Sequence, residues 1–282
     1  MAAGTLTHTM ASVTDISGGH PAELDTAVPH SARVWNYFLG GKDNFAADRE
    51  AGDQYRAIFP EIMDIARADR AFLGRAVRHI AGEAGVRQFL DIGTGLPTLD
   101  NTHEVAQRVA PDSRIVYVDN DPLVLVHARA LLTSTPQGAC DYIQADLREP
   151  DRILEAAART LDFQQPVAIM LLGILHFIPD TDEAYAIVDR LSDAVPPGSY
   201  LALTHATLEV GAQNEANAEA QAMWNEKSAV PITPRTEQQI LRFFAGMRVL
   251  EPGLVSMTRW RPDEDTAEPI EVAGYCGVGR KL

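Results

Sequence analysis

Five short apolar runs, separated by helical patterns, occupy the middle of the chain. The runs cover residues 88–92, 114–118, 142–145, 167–172 and 199–204. The helical patterns between them cover residues 102–109, 122–132, 152–160 and 182–194. Strands that alternate with helices pair in parallel and carry helices on both faces of their sheet. The alternation therefore predicts an α/β fold with a doubly wound parallel sheet.

Two further strand-like patterns follow the five runs. They cover residues 253–260 and 270–280, after a helical pattern at 236–244. A hairpin-like pair that follows five parallel strands adds one reversed strand to the sheet. We therefore expect a seven-stranded sheet.

Helical spacing before the first strand predicts three helices between residues 31 and 85. We expect residues 1–20 to be loose and residues 21–85 to form a helical N-terminal extension or lid. Residues 86–282 are expected to form a single domain that carries a helical insert at 209–231. Trp224, inside this insert, could belong to a lid over a ligand or to the packing core of a helix.

The composition argues against several classes of protein. A formal net charge of −15 repels phosphate backbones, so we expect no nucleic-acid partner. No apolar run reaches the ~18–20 residues of a membrane span. The first residues also lack the basic and apolar regions of a secretory signal. Cys140 and Cys276 are expected to be buried free thiols, and no zinc ligand set is present. These features predict a cytoplasmic protein with no membrane partner and no metal.

A glycine-rich turn follows the first predicted strand, with Asp91 just before it. Gly93 and Gly95 flank Thr94 and allow the backbone to approach a ligand closely. The dinucleotide fingerprint G-x-G-x-x-G would need glycine or alanine where Thr98 stands. The carboxylate of Asp91 would repel a pyrophosphate but attract a ligand that carries an ammonium and a sulfonium. S-adenosylmethionine carries both groups and no phosphate, so this loop is predicted to bind it.

Two further acids end the second and third predicted strands. Asp119 lies about 20 residues beyond the glycine loop, where a carboxylate can bind both ribose hydroxyls. Asp146 ends the third strand, and its carboxylate or the backbone amide of Leu147 could contact the adenine edge. Each acid alone could equally be a turn residue. Together with Asp91 and the glycine loop they predict one nucleoside site, because the carboxyl ends of parallel strands meet at one edge.

Several segments resemble those of a known family. They are ARVWNYFLGGKDNFAADR, FLDIGTGLPTLDNTHEVAQ, VYVDNDPLVLVHARALL, ADLREP, LLGILHFIPD, SYLALTHAT and GLVSMTRWRP. The sequence resembles class I methyltransferases, and more closely a bacterial S-adenosyl methyltransferase family long carried as a domain of unknown function. The resemblance covers nearly the whole chain from about residue 30. It implies a Rossmann-like methyltransferase sheet and S-adenosylmethionine as the bound methyl donor.

The resemblance also implies a set of cofactor-binding positions. They are Asp91, Gly93, Thr94, Gly95, Asp119, Asn120, Asp146, Leu147, Leu172 and Gly173. The segment from Arg33 to Asn44 resembles the N-terminal lid of such enzymes. Arg33, Gly41, Lys42 and Asn44 are therefore expected near the methionine end of the donor, whose carboxylate needs a cation or amide donors. The alternative for this loop is that it only caps a helix.

His176 follows the fourth predicted strand and is the candidate catalytic residue. Methyl transfer from a sulfonium needs positioning and exclusion of water, and it needs a base only where the acceptor must lose a proton. An imidazole suits that task near neutral pH. The alternative is a partly buried structural histidine. His205, at the end of the fifth predicted strand, could line the same pocket, although a structural role is favoured for it.

The acceptor is not specified by any motif. Residues 172–175 lack the Asn/Asp-Pro-Pro-aromatic sequence of enzymes that methylate base amines or protein glutamine. We expect a small-molecule acceptor that is methylated on oxygen or nitrogen. The alternative is a donor-binding regulatory or partner-binding module without turnover. A nicotinamide-dependent reductase ranks last, because the third glycine and a Tyr-x-x-x-Lys pair are missing. Assembly as a homodimer stays open.

Overall fold

One sheet forms the centre of the molecule. The computed structural model describes residues 25–98, 100–131, 133–228, 230–263 and 269–282. In this part of the chain the sheet has eight strands: β1 (Gln88–Ile92), β2 (Arg114–Asp119), β3 (Ala139–Gln144), β4 (Ala168–Leu172), β5 (Tyr200–Ala206), β6 (Met247–Val249), β7 (Val255–Ser256) and β8 (Gly274–Lys281). Residues 1–20, predicted to be loose, lie outside the described residues.

The order of the strands is β3-β2-β1-β4-β5-β8-β6, and the two-residue β7 pairs with β8 beside this path. Strands β1 to β5 are parallel, whereas β8 is antiparallel to both β5 and β6. The predicted seven-stranded sheet with one reversed strand is therefore confirmed, with β7 as a short addition. The chain proceeds from β1 to β3 on one side and returns at β4 on the other. The carboxyl ends of β1 and β4 thus form the switch point at which open α/β sheets bind ligands.

The strand predicted at 253–260 is wrong in extent. Only β7 pairs with the sheet there, and the outer strand is β6, which was not predicted. Met257 and Trp260 leave the sheet and are buried, and the Trp260 ring contacts Phe72 edge-on at a centroid distance of 5.4 Å. The guanidinium of Arg75 donates to the backbone oxygens of Met257 and Trp260, which fixes this segment against the helix that carries Arg75.

Helices cover both faces of the sheet. In the described residues they are α1 (Ser31–Phe38), α2 (Ala46–Ile58), α3 (Ile62–Arg78), α4 (Thr102–Val109), α5 (Pro122–Leu131), α6 (Pro150–Ala157), α7 (Thr181–Asp193), α8 (Asn214–Lys227) and α9 (Glu237–Leu241). Alternate side chains of the central strands enter two apolar cores. Phe89 and Met170 belong to one core, and Leu90 and Ile169 belong to the other. Since both faces are buried, the doubly wound α/β fold is confirmed.

Helices α1, α2 and α8 pack together beside the carboxyl ends of the strands. Helix α1 begins after His30, whose Nδ1 accepts a hydrogen bond from the amide of Ala32. Helix α2 contacts both α1 and α8, and Lys227 Nζ donates to Gln54 Oε1 over 2.7 Å. The helical insert predicted at 209–231 contains α8, which therefore joins the N-terminal helices in one layer.

Three features bear on the class of the protein. In the ranges that the structure describes, no helix combines the length and the apolar character that a bilayer span requires. Cys140 and Cys276 are buried free thiols, as predicted. Those ranges also hold no group of three or more histidine, cysteine or acidic side chains that could bind a metal ion.

Candidate functional site

A cleft opens at the carboxyl ends of β1, β2 and β4. Its volume is about 1180 Å³, which includes space that is open to solvent. One wall is the edge of the sheet, with Asp91, Gly93, Asp119 and Gly173. The opposite wall consists of side chains from α1, α2 and α8. The cleft therefore lies at the switch point of the sheet, where the fold predicts a ligand.

The loop after β1 brings its backbone to the cleft. Gly93 and Gly95 have φ angles of 77° and 62°, in the left-handed region that favours glycine. A Cβ atom on Gly93 would lie 2.6 Å from Cγ1 of Ile174, so the contact between these two loops requires glycine. Thr94 lines the cleft between the two glycines. The three predicted loop residues thus lie together on one wall.

Two buried carboxylates flank this loop. The hydroxyl of Thr102 donates to Asp91 Oδ2 over 2.6 Å, and the amide of Gly95 donates to Asp119 Oδ2 over 2.8 Å. Burial raises the pKa of Asp91 to about 6, with small additions from Asp69 and Asp119. Burial also raises the pKa of Asp119, against the hydrogen bonds from two backbone amides. Both carboxylates are therefore poorly compensated when ionised.

The third predicted acid lies at the rim of the cleft. Asn120 lines the cleft, and its Nδ2 donates to Asp146 Oδ2 over 3.4 Å. Asp146 is half-buried and is not among the residues that line the cleft. Leu147 packs in the apolar core on one face of the sheet. Asp146 thus contacts a residue that lines the cleft, whereas the side chain of Leu147 lies in the core and does not line it.

A hydrogen-bonded chain crosses the ends of β4 and β5. The amide of Gly173 donates to Thr204 Oγ1 over 2.7 Å, and this hydroxyl donates to Asp69 Oδ1 over 2.6 Å. Asp69 lines the cleft, and burial raises its pKa. Leu172 lines the cleft beside Gly173. Asp69 was not predicted, although a carboxylate on the apolar stripe of α3 is a sequence signal that could have identified it.

Arg70, next to Asp69, is a second charged cleft residue that the sequence did not predict. It lines the cleft, and its Nη2 donates to Asn101 Oδ1 over 2.9 Å. The positive charge of Arg70 acts to lower the pKa of both Asp69 and Asp91, but burial outweighs it. Among the described residues that line the cleft, Arg70 is the single lysine or arginine.

The residues predicted near the methionine end are not brought to the cleft. Lys42 is exposed, and neither Gly41 nor Asn44 lines the cleft. The loop instead turns toward Asn36, whose Oδ1 accepts from Asn44 Nδ2 over 3.0 Å. A Cβ on Gly41 would lie 2.3 Å from the Asn36 amide. The loop therefore holds Asn36, which does line the cleft.

Arg33 also lies outside the cleft. It is buried, with Nε 3.5 Å from Asp121 Oδ2 and 3.7 Å from Asp48 Oδ1. His30 adds a further contact, with Nδ1 3.1 Å from Asp121 Oδ2. Because Asp121 follows β2, this charge cluster joins α1 and α2 to the end of the sheet. Arg33 thus positions the helical wall of the cleft.

His176 lies in a short 3₁₀ turn, Leu175–Phe177, after β4. Its ring is half-buried and lines the cleft, while its Nδ1 is buried without a hydrogen-bond partner in the described part of the chain. Burial and the charge of Arg235 lower the pKa of His176 to about 3. The imidazole is therefore neutral at physiological pH. It can accept or donate a hydrogen bond toward a ligand.

His205 supports His176 from behind and is not among the lining residues. Its Nδ1–H donates to the oxygen of Ala206 over 2.8 Å, and its Nε2 accepts from Arg235 Nη1 over 2.9 Å. The two imidazole rings meet edge-on with centroids 5.7 Å apart. Both nitrogens of His205 are thus engaged, which favours the structural role expected for it.

The charges in the cleft fit a cationic nucleoside better than a dinucleotide. Asp69, Asp91 and Asp119 are buried, and each has a raised pKa. A ligand that supplies hydroxyl or ammonium donors would compensate these carboxylates. A pyrophosphate would add negative charge beside them. The residues present therefore fit S-adenosylmethionine.

The comparisons with known proteins point to one family. The sequence profile of the S-adenosyl methyltransferase family matches residues 17–282. A crystal structure of a DUF574 family protein from Streptomyces avermitilis is 44% identical, with a TM-score of 0.86, and covers 92% of this chain and 100% of its own. A Thermobifida fusca protein of known structure is also 44% identical, with a TM-score of 0.83, and covers 93% of this chain and 98% of its own.

A comparison with curated proteins finds no match. The family profile nevertheless extends over the helical N-terminal segment as well as the sheet, and the two similar structures cover nearly the whole chain. Fold, cleft and family therefore agree. The chain belongs to the S-adenosyl methyltransferase family and is an S-adenosylmethionine-dependent methyltransferase.

Proposed function

We propose that the protein methylates an oxygen or nitrogen atom of a small molecule, and that the cleft holds donor and acceptor side by side. The observation that carries this proposal is the pair of buried carboxylates, Asp91 and Asp119, on either side of the glycine loop. They face a cleft whose opposite wall is helical and mainly apolar. The sheet wall suits a charged nucleoside, and the helical wall leaves space for a second molecule.

The nucleoside half of the donor is assigned to the end of β2. Asp119 already accepts from two backbone amides, which fixes the plane of its carboxylate. The remaining lone pairs can accept from the two ribose hydroxyls. Asn120 and Asp146 then lie on the side of the adenine edge, with the backbone of Leu147. Gly93, Thr94 and Gly95 supply the close backbone surface below the ribose.

The methionine half of the donor is assigned to the ends of β1 and β4. Arg70 is the cation for the carboxylate, in place of Lys42, because Arg70 lines the cleft and Lys42 does not. Asp69, Asp91 and the backbone of Gly173 surround the position of the ammonium. Leu172 packs beside it. Arg33, Gly41 and Asn44 do not contact the donor. They hold α1 and Asn36 in place.

Bound S-adenosylmethionine supplies a methyl group whose bond to sulfur breaks, with the electron pair retained by sulfur, as the acceptor's lone pair forms the new bond to carbon. The chain orients the two molecules and excludes water from the space between them. His176 lies beside this space and, being neutral, can accept the hydrogen bond of an acceptor hydroxyl. Because its pKa is lowered to about 3, the imidazole orients the hydroxyl, and the proton released on transfer passes to solvent. An acceptor amine needs no base before the transfer.

Calorimetry tests the donor site. S-adenosylmethionine and S-adenosylhomocysteine should bind, and NAD should not. Asp119→Asn should weaken donor binding by about tenfold or more, because a charged acceptor becomes neutral. Asp141→Asn is the matched control, since Asp141 is a buried carboxylate on β3 that does not line the cleft. Tight binding of NAD, or equal losses in the two variants, would contradict the proposal.

Turnover is tested with extracts of metabolites. Formation of S-adenosylhomocysteine that depends on the extract, and that is lost in Asp119→Asn, would support a small-molecule acceptor. Transfer of the labelled methyl group to protein or nucleic acid instead would contradict it. The expected absence of a nucleic-acid partner, the cytoplasmic location and the homodimer stay predictions.

A further inference from the structure

We propose that the acceptor is an uncharged, largely apolar molecule with a flat ring system, bound between the sheet edge and the layer of α1, α2 and α8. This inference rests on the proposed function, since it concerns the part of the cleft that the donor leaves open. The inference depends on the side chains of the helical wall, on the position of the charged groups and on the polar groups that can orient an acceptor.

The helical wall is built from aromatic and aliphatic side chains. Its members come from α1 and the residue after it, from α2 and α8, from the 3₁₀ turn after β4 and from the loop after α8: Val34, Trp35, Phe38, Leu39, Tyr55, Phe177, Trp224 and Ile232. Aromatic rings on several sides of a space favour a flat apolar ligand, because stacked and edge-on ring contacts add to the gain from burial. Trp224 is oriented by a hydrogen bond from its indole nitrogen to the oxygen of Val230, over 3.0 Å. Its ring is thus a fixed part of the wall.

The charged groups lie on the donor side. Asp69, Asp91, Asp119 and Arg70 belong to the sheet edge and to the part of α3 next to it. The cleft-lining residues described in α1, α2 and α8 include no lysine, arginine or acid. A phosphate or carboxylate on the acceptor would lose its hydration there and face three carboxylates. An anionic acceptor is therefore disfavoured.

Among the polar residues that line the cleft, Asn36 and His176 can orient the acceptor. Asn36 is only 2% exposed, and its Oδ1 already accepts from Asn44 Nδ2 and from the amide of Asp43. This leaves the amino group of Asn36 as a donor for a ligand. The neutral imidazole of His176 can accept. An apolar chamber with a few placed polar groups is the usual form of a small-molecule site.

The experiment uses contact quenching of tryptophan fluorescence by a brominated hydroxybiphenyl. Trp35 and Trp224 line the cleft, whereas Trp260 is buried against Phe72 and does not. The probe is added to the protein saturated with S-adenosylhomocysteine, and the brominated biphenyl carboxylate serves as its anionic counterpart. We expect saturable quenching by the phenol and at least about tenfold weaker binding of the carboxylate.

Three variants locate the probe. Trp35→Phe and Trp224→Phe should each remove part of the quenching, and Trp260→Phe should leave it unchanged. Should Trp224→Phe unfold, as circular dichroism would show, Trp35→Phe still locates the probe.

The outcomes separate the two proposals. Failure of S-adenosylhomocysteine to bind in calorimetry overturns the proposed function, and this inference with it. If S-adenosylhomocysteine binds, three results overturn the inference alone. They are no binding of the phenol, binding of the carboxylate as tight as that of the phenol, and quenching that persists unchanged in Trp35→Phe.

Discussion

Asp91 shows how a binding site differs from the core around it. It is 5% exposed and accepts from the hydroxyl of Thr102, and the charge of Arg70 lowers its pKa by less than burial raises it. Burial raises the pKa of Asp91 to about 6, so the ionised form destabilises the free protein at neutral pH. A perturbed carboxylate in a cleft is a common mark of a functional site. In the proposed function, the ammonium of the donor compensates this charge.

Replacing this carboxylate should therefore stabilise the free protein while weakening donor binding. The pKa of Asp91 is higher in the folded than in the unfolded chain, so its favourable contribution is present at low pH and is lost as pH rises through about 6. Asp91→Asn should raise the free energy of unfolding by about 1–3 kcal/mol at pH 8 and by less at pH 5. Urea unfolding at the two pH values measures this.

The exposed Asp112→Asn is the control for that experiment, because its pair with Arg87 lies at the surface. Calorimetry on the same two variants should show weaker donor binding for Asp91→Asn alone. A loss of stability in Asp91→Asn that is equal at both pH values would contradict an unfavourable charge.

His176 should stay neutral over the physiological range. Its pKa is lowered to about 3 in the folded chain, so the unfolded chain binds the proton first as pH falls. Stability from this group is thus present above about 6.5 and is lost on acidification. The ring resonances, identified by comparison with His176→Asn, should show no titration in NMR spectra between pH 8 and 5. A midpoint near 6.5 would show that the ring is hydrated and would restore the base near neutral pH that the sequence suggested.

The residues of the sheet wall could be predicted because each lies at or just after the carboxyl end of an apolar strand. Asp91, Asp119 and Gly173 reach the cleft through strand order alone. Asp69 and Arg70 could not be predicted in this way, since their place depends on how α3 lies across the sheet. Lys42 was expected at the cleft from resemblance, but its loop bends toward Asn36 and leaves the lysine exposed.

At the level of elements, the helical wall depends on one buried charge cluster. Arg33 lies between Asp48 and Asp121, and all three side chains are at most 5% exposed. Removing one member of a buried ion cluster leaves the remaining charges without compensation. The cluster therefore couples the position of α1 to the end of β2, where Asp119 is assigned to the ribose.

Arg33→Met should destabilise the protein by about 3 kcal/mol and should loosen α1 before the sheet. Hydrogen exchange measures the loosening, as faster exchange of α1 amides than of β1 amides. Arg56→Met is the matched control, because the Arg56–Asp53 pair is exposed and should contribute less than about 0.5 kcal/mol. Unchanged exchange in α1 would mean that apolar packing alone holds the helical wall.

The parallel strands and α4 were predictable because their patterns are long and regular, and β1 and α4 have the predicted bounds. The outer edge was not. Strand β6 has three residues, none fully buried, so it carries no apolar pattern. The segment at 253–260 is apolar for a different reason, since Met257 and Trp260 pack against α3 instead of pairing in the sheet. Apolar residues in a sequence indicate that a segment is buried. Whether that segment forms a strand depends on a pairing partner in the sheet.

On the scale of the whole molecule, the reactivity of the two thiols can show whether the sheet opens at its edge or as a whole. Cys140 lies in β3, the edge strand, and is 6% exposed, whereas Cys276 lies in β8, paired with β5, and is 0% exposed. Burial raises the pKa of Cys140 to about 12 and that of Cys276 well above its usual value, so neither forms a reactive thiolate in the folded state. A thiol reagent can therefore react with either cysteine only after the protein around that cysteine opens.

Labelling should distinguish local from global opening. In Cys276→Ser, the remaining Cys140 should react through fraying of the edge strand, whereas in Cys140→Ser the remaining Cys276 should react only when the sheet unfolds. In the proposed function, S-adenosylmethionine binds the folded cleft across β1, β2 and β4. It should slow the labelling of Cys276 by a factor of about one plus the ratio of donor concentration to Kd, and that of Cys140 by less. Equal rates, or equal slowing of both thiols, would show that β3 opens only with the whole sheet. The donor would then stabilise the molecule as a single unit, from the cleft to the far edge.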